Sequence, residues 1–555
     1  MSFWSYANLS EVTKGRWLVE PADLTAEVAG LWHDTREIKE GQAYLAIKGE
    51  NFDGHDFIDK AFDAGAALAI VSTPSLTGVA GDKLASPRNE ALGVTDQTTR
   101  SGGSPSLHPG HPVLLVPDTV KSLQDLARVY RDELKAGGCK VIGIAGSNGK
   151  TTTRHLIHHV LTHAGLEGTQ SPKSFNNHLG VPLTLLSAKP EHDFVACEIG
   201  TNHPGEIAFL SEIARPDIAV ITSIGLEHLE FFKDLAGVAK EEAAILTHIS
   251  PGGDAVVCQE LREDAGDQIA AARMRYNVHQ FGYDADYNSG FVIDYDEDEH
   301  CQLFTVHGPL LRDSTTHLMG PGIEEFGTLI RLRMNGTHNV NNAMAGMIVA
   351  RLLGVETVLI QEALRTIEPI EGRMQKLRFG QGISVIHDAY NANPTSMSFA
   401  VSEALGFRDK RRVLILGDML ELGELSEPEH RELGESLGKY APMNRELPVT
   451  EFSKASDGFW ESTFGAKISN DELQLGLLIL IGPEMSAAFN AVRKTWPPSR
   501  IHYYADWQDG LDQNIAALLQ PGDTVLLKAS RGMRLERLIP AIERRFGPAQ
   551  GNEPT

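Results

Sequence analysis

Cysteine is scarce in this chain: Cys139, Cys197, Cys258 and Cys301 are the four in 555 residues, and no two form a Cys-x-x-Cys pair. That spacing argues against a disulfide framework or a thiolate metal site and for buried thiols in a reducing cytosol. Long apolar runs are missing as well. No stretch reaches the roughly 18 apolar residues of a membrane span. The start, "MSFWSYANLSEVTKGRWLVE", lacks the basic segment and apolar core of a secretory signal. The expectation is a cytoplasmic protein, neither exported nor membrane-spanning. A surplus of cations is absent too: 50 Lys and Arg against 74 Asp and Glu give a net charge of −24. Too few cations remain to replace phosphate counterions, which excludes a nucleic-acid partner. An anionic small substrate is still compatible, because a local cationic pocket can sit within an acidic protein.

What is present is ordinary globular composition, 42% apolar and 22% charged, at a length that predicts about three domains. A Gly/Ser/Pro-rich stretch, "LASPRNEALGVTDQTTRSGGSPSLHPGHP" (84–112), lies between the strand-like runs "AALAIV" and "PVLLVP". It reads as a flexible insertion in a first domain, 1–138. From 139 to 372 strands and helices alternate: "VIGIAG" before "TTTRHLIHHVLTHAG", "DFVACEIG" before "HPGEIAFLSEIAR", "DIAVITSIG" before a helix around 234–248. This pattern predicts an α/β domain with a mostly parallel sheet. The acidic "YDADYNSGFVIDYDEDEH" (283–300) is expected to be a solvated hairpin or edge. After "EGRMQ" the alternation restarts with "GISVIHDAY", "RRVLILGDM", "LLILIGP" and "DTVLLKAS", a further α/β domain over 373–555 that a polar segment, 443–476, interrupts.

Chemistry concentrates first at "VIGIAGSNGKTTTRHLIHHV" (141–160). The usual phosphate loop is G-x-x-x-x-G-K-[ST]; here Gly143 stands one place early and Ile144 holds its position. The physical essentials remain. Gly146, Ser147, Asn148 and Gly149 can bring backbone N–H groups to phosphate oxygens, and Lys150 can reach the terminal phosphates. Thr151, followed by Thr152, offers a hydroxyl to Mg²⁺, and the following helix points its positive end at the anion. The histidines of that helix, His155, His158 and His159, read as surface and packing. Glu198, Glu227 and His228 follow strands and suit Mg²⁺. Asn339 and Asn342 share a helix face. Arg373 sits at a domain junction, Asp388 ends a strand, and Lys528, Ser530 and Arg531 follow one, where an anion could be held.

Taken in order, "AGSNGKTTT", "NNHLGVPLT", "NHPGEI", "DAYNANPTSM" and "LGDMLELG" resemble the ATP-dependent Mur ligases over nearly the whole chain. The last four look like the branch that adds D-alanyl-D-alanine to UDP-N-acetylmuramoyl-tripeptide. The resemblance implies an α/β fold of three domains: an N-terminal UDP-sugar domain, a central phosphate-loop domain binding ATP and Mg²⁺ on a parallel or mixed sheet, and a C-terminal Rossmann-like domain bringing the dipeptide. It implies Asp34, Thr35, Arg36, Asn176, Asn177, Thr201 and Asn202 on the UDP substrate. Asn339 and Asn342 would face the adenine, Asp388 the ribose, and Arg373 the γ-phosphate. Thr151, Glu198 and His228 would hold metal, and Asn391, Lys528, Ser530 and Arg531 the dipeptide. The family usually carries a carbamylated lysine after the metal histidine; counting from His228, Glu242 stands there and is expected to replace it as a metal-binding carboxylate, joining Lys150, Arg373 and His228 in catalysis. A cytoplasmic monomer acting on small molecules is expected. Three alternatives remain at this stage: a ligase for another amino acid, a nucleotide-driven switch, or a binding protein without catalysis.

Overall fold

A computed structural model describes residues 2–72, 110–261, 265–282, 288–296, 301–307, 328–334, 336–406, 411–441 and 475–549. Most of the 84–112 insertion and of the 443–476 segment lies outside the described residues. The chain forms two compact units: Met1–Gly143 with Glu167–Ile199 and Phe209–Pro216, and Ile144–Leu166 with Gly200–Ala208 and Asp217–Thr555.

In the first unit, β1 (Arg16–Val19), β2 (Leu31–Trp32), β3 (Ala43–Leu45), β4 (Leu68–Val71) and β5 (Val113–Leu115) form a sheet in the order β1-β5-β4-β3-β2. Only the β1–β5 pairing is antiparallel. The runs that flank the 84–112 insertion are β4 and β5, paired directly, so the insertion leaves and rejoins one sheet. A helix follows over Thr119–Gly137. Asp118 caps its start by accepting from the Lys121 amide, and Gly138, at φ 93°, ends it in the left-handed conformation that glycine adopts without strain. Its buried stripe, Leu123, Leu126, Ala127, Tyr130 and Leu134, has the three-to-four spacing of an amphipathic helix. Strand β6 (Lys140–Ala145) carries the chain from the first unit into the second. Back in the first unit, β7 (Gly168–Gln170) pairs in parallel with β8 (Phe194–Glu198).

The second unit contains β9 (Ile218–Ile221), β10 (Asp254–Cys258), β11 (Asn277–Gly282), β12 (Asn288–Asp296), β13 (Cys301–His307) and β14 (Thr328–Leu332), neighbours in that order. β9 to β12 run parallel; β12, β13 and β14 form antiparallel pairs. Of the acidic stretch, residues 288–296 form β12, antiparallel to β13 as expected of a hairpin; β14, not β12, ends the row. A second sheet comprises β15 (Gln375–Arg378), β16 (Ser384–Asp388), β17 (Arg412–Gly417), β18 (Leu477–Ile481), β19 (Ile501–Tyr504) and β20 (Thr524–Lys528), in the order β15-β16-β20-β17-β18-β19. All its pairings are parallel except β15–β16. Its central strands are apolar throughout because both faces are covered. Leu414, Leu416, Leu478, Leu480 and Leu526 enter one core; Val413, Ile415, Ile479, Val525 and Leu527 enter the other. The short β19, just after Pro497 and Pro498, carries too little apolar pattern to be anticipated. All four cysteines are buried. Among the described residues no helix is long and apolar enough to cross a membrane.

Candidate active site

Strand β6 ends at Ala145 and the loop turns at Gly146 (φ +123°) and Gly149 (φ +86°), conformations that suit glycine alone. Space demands it too. A Cβ on Gly146 would stand 2.3 Å from Thr222 Oγ1, and one on Gly149 2.2 Å from Asn342 Oδ1. The loop is pinned from three sides. Ser223 accepts from the Ser147 and Asn148 amides at 2.9 and 3.0 Å. Ser147 Oγ donates to the Gly225 carbonyl (3.1 Å) and accepts from its amide (2.9 Å). Glu242 Oε2 accepts the Gly146 N–H at 2.6 Å. Asn393 Nδ2 donates to Asn148 Oδ1 at 3.0 Å. The helix Lys150–His163 then opens with no side chain capping Gly149, so its first amides and positive dipole end face a prospective anion. Thr151 and Thr152 are buried in that first turn.

Lys150 bends back onto its own loop, donating to the carbonyls of Gly146 and Ser147, and stands 3.9 Å from Glu227. Glu227 and Glu242 are both buried and interact with each other. Burial pushes both carboxyls up, Glu242 to about 8, with the Lys150 charge opposing the rise. Burial and the nearness of the two carboxyls both disfavour their ionised forms.

Arg373 reaches this loop from the segment before β15: its guanidinium donates to Thr151 Oγ1 at 2.9 Å. The same guanidinium lies 4.4 Å from the centroid of the Tyr390 ring, and that of Arg531 5.2 Å from it. Beside them is a cavity of about 90 Å³, whose lining includes Glu227, His228, Asn391, Glu421, Ser530 and Arg531. His228 Nδ1 lies 2.8 Å from Glu421, and that close contact holds the Glu421 carboxyl low. Both residues have positive φ, 47° and 65°, strain that the surrounding structure must hold.

Several residues expected on ligands have protein partners. Asn342 Nδ2 donates to Asn339 Oδ1 at 2.9 Å, while its Oδ1 accepts from Thr153 Oγ1 at 3.2 Å; both asparagines are buried and buttress the loop helix. Asp388 pairs with Lys528 at 2.7 Å and accepts from the Met374 amide. Lys528 also donates to the Asn391 carbonyl, and Ser530 Oγ to that of Ala392. Of the four residues expected on the dipeptide, Asn391, Ser530 and Arg531 line the cavity, and the buried Lys528 ammonium lies against Asp388. Thr201 donates to the His203 carbonyl, and the Asn202 amide to Glu206, in the turn before the helix Glu206–Ala214.

The first unit holds the remaining candidates. Glu198 ends β8, buried, and its amide donates to Ser171 Oγ. Asp34 takes a two-pronged ion pair from Arg36, which lowers its carboxyl to about 2, and Thr35 lies half-buried between them. Asn177 Oδ1 accepts from the Leu179 and Gly180 amides, and Asn176 is half-buried next to it. The Trp32 and Phe175 rings are stacked at 6.4 Å.

The donors within reach of the loop, Thr151 with Glu227 and Glu242, are oxygens, which suits Mg²⁺. Among the described residues no three His, Cys, Asp or Glu form a ready cage. That fits an ion held by a hydroxyl, waters and nucleotide phosphates, the usual manner of Mg²⁺. Ser223, Tyr390 and Glu421 are contributors that sequence reasoning missed; each lies just past a strand end, and only that position signals them.

Fold and site define a phosphate-loop α/β protein whose loop is reached by an arginine from far along the chain. Its sequence matches the models of the Mur ligase family catalytic domain (27–131), the Mur ligase middle domain (144–350) and the Mur ligase glutamate ligase domain (372–443). It is 31% identical to the UDP-N-acetylmuramoyl-tripeptide–D-alanyl-D-alanine ligase of Bacillus subtilis, over 96% of each chain. It is 32% identical to the enzyme of that name from Mycobacterium tuberculosis H37Rv, over 72% of this chain and 74% of that one. A crystal structure of MurF from Acinetobacter baumannii superposes with a TM-score of 0.72 at 27% identity, covering 98% of this chain and 99% of that one. The chain belongs to the Mur ligase family.

Proposed function

We propose that this chain joins the amine of D-alanyl-D-alanine to the peptide carboxylate of UDP-N-acetylmuramoyl-tripeptide, splitting ATP to ADP and phosphate, in cytoplasmic peptidoglycan precursor synthesis. The observation that carries this is the Arg373 guanidinium on the Thr151 hydroxyl, a cation brought to the end of the phosphate loop where transferred charge collects. The relatives' shared activity supports the choice of substrates.

A carboxylate is not attacked by an amine directly, because an oxide is a poor leaving group. Transfer of the γ-phosphoryl to the carboxylate oxygen gives an acyl phosphate; the dipeptide amine adds to its carbonyl, and inorganic phosphate leaves. Lys150, released from the Gly146 and Ser147 carbonyls, meets the terminal phosphates, and Arg373 stabilises charge as it shifts. Thr151 and the nucleotide phosphates would hold Mg²⁺, which would supply Lewis-acid neutralisation of that charge when bound. Arg531, Asn391 and Ser530 line the dipeptide's cavity. Asp34, Thr35, Arg36, Asn176 and Asn177 serve the UDP substrate. Glu242, bonded to the Gly146 amide, would provide the metal-binding carboxylate expected in place of a carbamylated lysine. We assign three functional domains, 1–138, 139–372 and 373–555, acting as a monomer.

The test is phosphate release with ATP, Mg²⁺, UDP-N-acetylmuramoyl-tripeptide and D-alanyl-D-alanine, each omitted in turn. Strict dependence on all four supports the proposal. Release without the UDP substrate and dipeptide indicates a nucleotide-driven switch, and preference for a single amino acid another ligase.

A further inference from the structure

We infer that His155 and His159 are positioning residues for Arg373, fastening the segment that delivers it along the phosphate-loop helix; this rests on the role of Arg373 in the proposed ligation.

Thr151, His155, His159 and His163 recur every four residues, so they stand on successive turns of one helix, a stripe about 18 Å long. Their partners come in reverse order from one stretch of chain. Glu362 lies 3.9 Å from His163 Nε2. The Ala363 carbonyl and Thr366 hydroxyl lie 2.9 and 3.2 Å from His159 Nε2. The Glu368 carbonyl is 3.0 Å from His155 Nε2, and Arg373 ends the series on Thr151. Residues 362–373 thus run antiparallel along the stripe.

The direction of these bonds is fixed by chemistry. A carbonyl only accepts, so each Nε2 carries the hydrogen and donates it. Burial pushes both imidazoles down, which keeps the rings neutral in that tautomer. Ala363 lies in the last turn of the helix Thr357–Thr366, where a carbonyl lacks its backbone partner inside the helix; that of Ala363 accepts from Thr366 Oγ1 at 3.0 Å and has a second lone pair for His159. Apolar side chains would pack as well against that helix but could not hold a carbonyl. Imidazoles at these two turns fix the register of the strap, and the strap's register fixes how far Arg373 extends toward Thr151. A slip of one residue would move the guanidinium by about 3 Å, beyond the tolerance of a positioned catalytic group.

The experiment compares His155→Leu, His159→Leu and the double variant with His155→Gln and His159→Gln, which keep a donor. Phosphate release with all four reactants is measured, alongside hydrogen exchange of the 367–373 amides. The expected result is a fall in kcat of about tenfold for each leucine variant, the scale of a misplaced catalytic group, with KM for ATP nearly unchanged. Glutamine should restore most of it. On an Arg373→Ala background the histidine changes should add nothing further. Unchanged kcat and unchanged exchange in the single leucine variants would overturn the inference, as would equal losses with and without Arg373. A wild type that never releases phosphate refutes the ligase reading instead, and the exchange measurement still decides whether the strap depends on the histidines.

Discussion

Glu242 accepts the Gly146 amide hydrogen at 2.6 Å across 96 residues of chain. A buried acid thereby completes the loop that is to hold phosphate, and its own burial favours the protonated form. Replacing Glu242 with Gln, which mimics that form, should leave the melting temperature close to wild type. Replacing it with Ala strands the Gly146 amide and opens a void, which should cost about 2–3 kcal/mol and weaken nucleotide binding. Thermal melts with and without ATP measure both; an Ala variant as stable as the wild type would remove Glu242 from the loop's support.

Arg373→Ala should lower kcat by about a hundredfold or more, the scale of losing one stabilising donor, while ATP still binds. Isothermal titration and turnover separate the two effects. Turnover unaffected by the change would exclude the role given to Arg373.

Tyr390 has both Arg373 and Arg531 against its ring. Tyr390→Leu should weaken the hold on each guanidinium by about 0.5–1 kcal/mol, raising KM for the dipeptide and lowering kcat several-fold. Tyr390→Phe, which keeps the ring, should behave as wild type in both parameters.

Asp418, buried just past the end of β17, accepts from the Met485 amide at the start of the helix after β18, and is pushed up to about 6 by desolvation. Its folded value thus exceeds the ordinary 3.8. Between those values the folded state binds more protons than the unfolded one, so stability falls as pH rises from about 4 to about 6 and stays reduced above that. The loss is of order 2–3 kcal/mol. Asp418→Asn keeps an acceptor for Met485 and should flatten that slope in denaturant melts across pH 4–7; a slope like wild type would assign the pH dependence elsewhere.

Gly149→Ala should abolish nucleotide binding, since the new Cβ falls 2.2 Å from Asn342 Oδ1 and φ is +86°. Retained binding of a fluorescent ATP analogue would contradict this.

How much of this was legible follows from range along the chain. Strands β6, β8, β9, β16, β17, β18 and β20 stood in the sequence as apolar runs, and the helix after Gly149 opened within one residue of its expected start. Asn339 and Asn342 share one helix face, as their spacing implies. Their amides, though, are taken up by each other and by Thr153, 189 residues from Asn342. Lys528, expected just after a strand, is the last residue of β20 and the buried partner of Asp388, which the sequence does not signal. The histidines of the loop helix read as packing because their acceptors lie more than 200 residues away.

By itself, then, the sequence determined the phosphate loop, the alternation that builds parallel sheets, and the order of motifs that marks the family. These depend on neighbours a few residues apart, where backbone conformation and periodicity suffice. Tertiary structure alone decided that a buried acid clamps Gly146, that Arg373 meets Thr151, and that a histidine stripe straps the segment between. Each joins groups whose distance in space is independent of their distance in sequence, and burial then sets which of them carries charge.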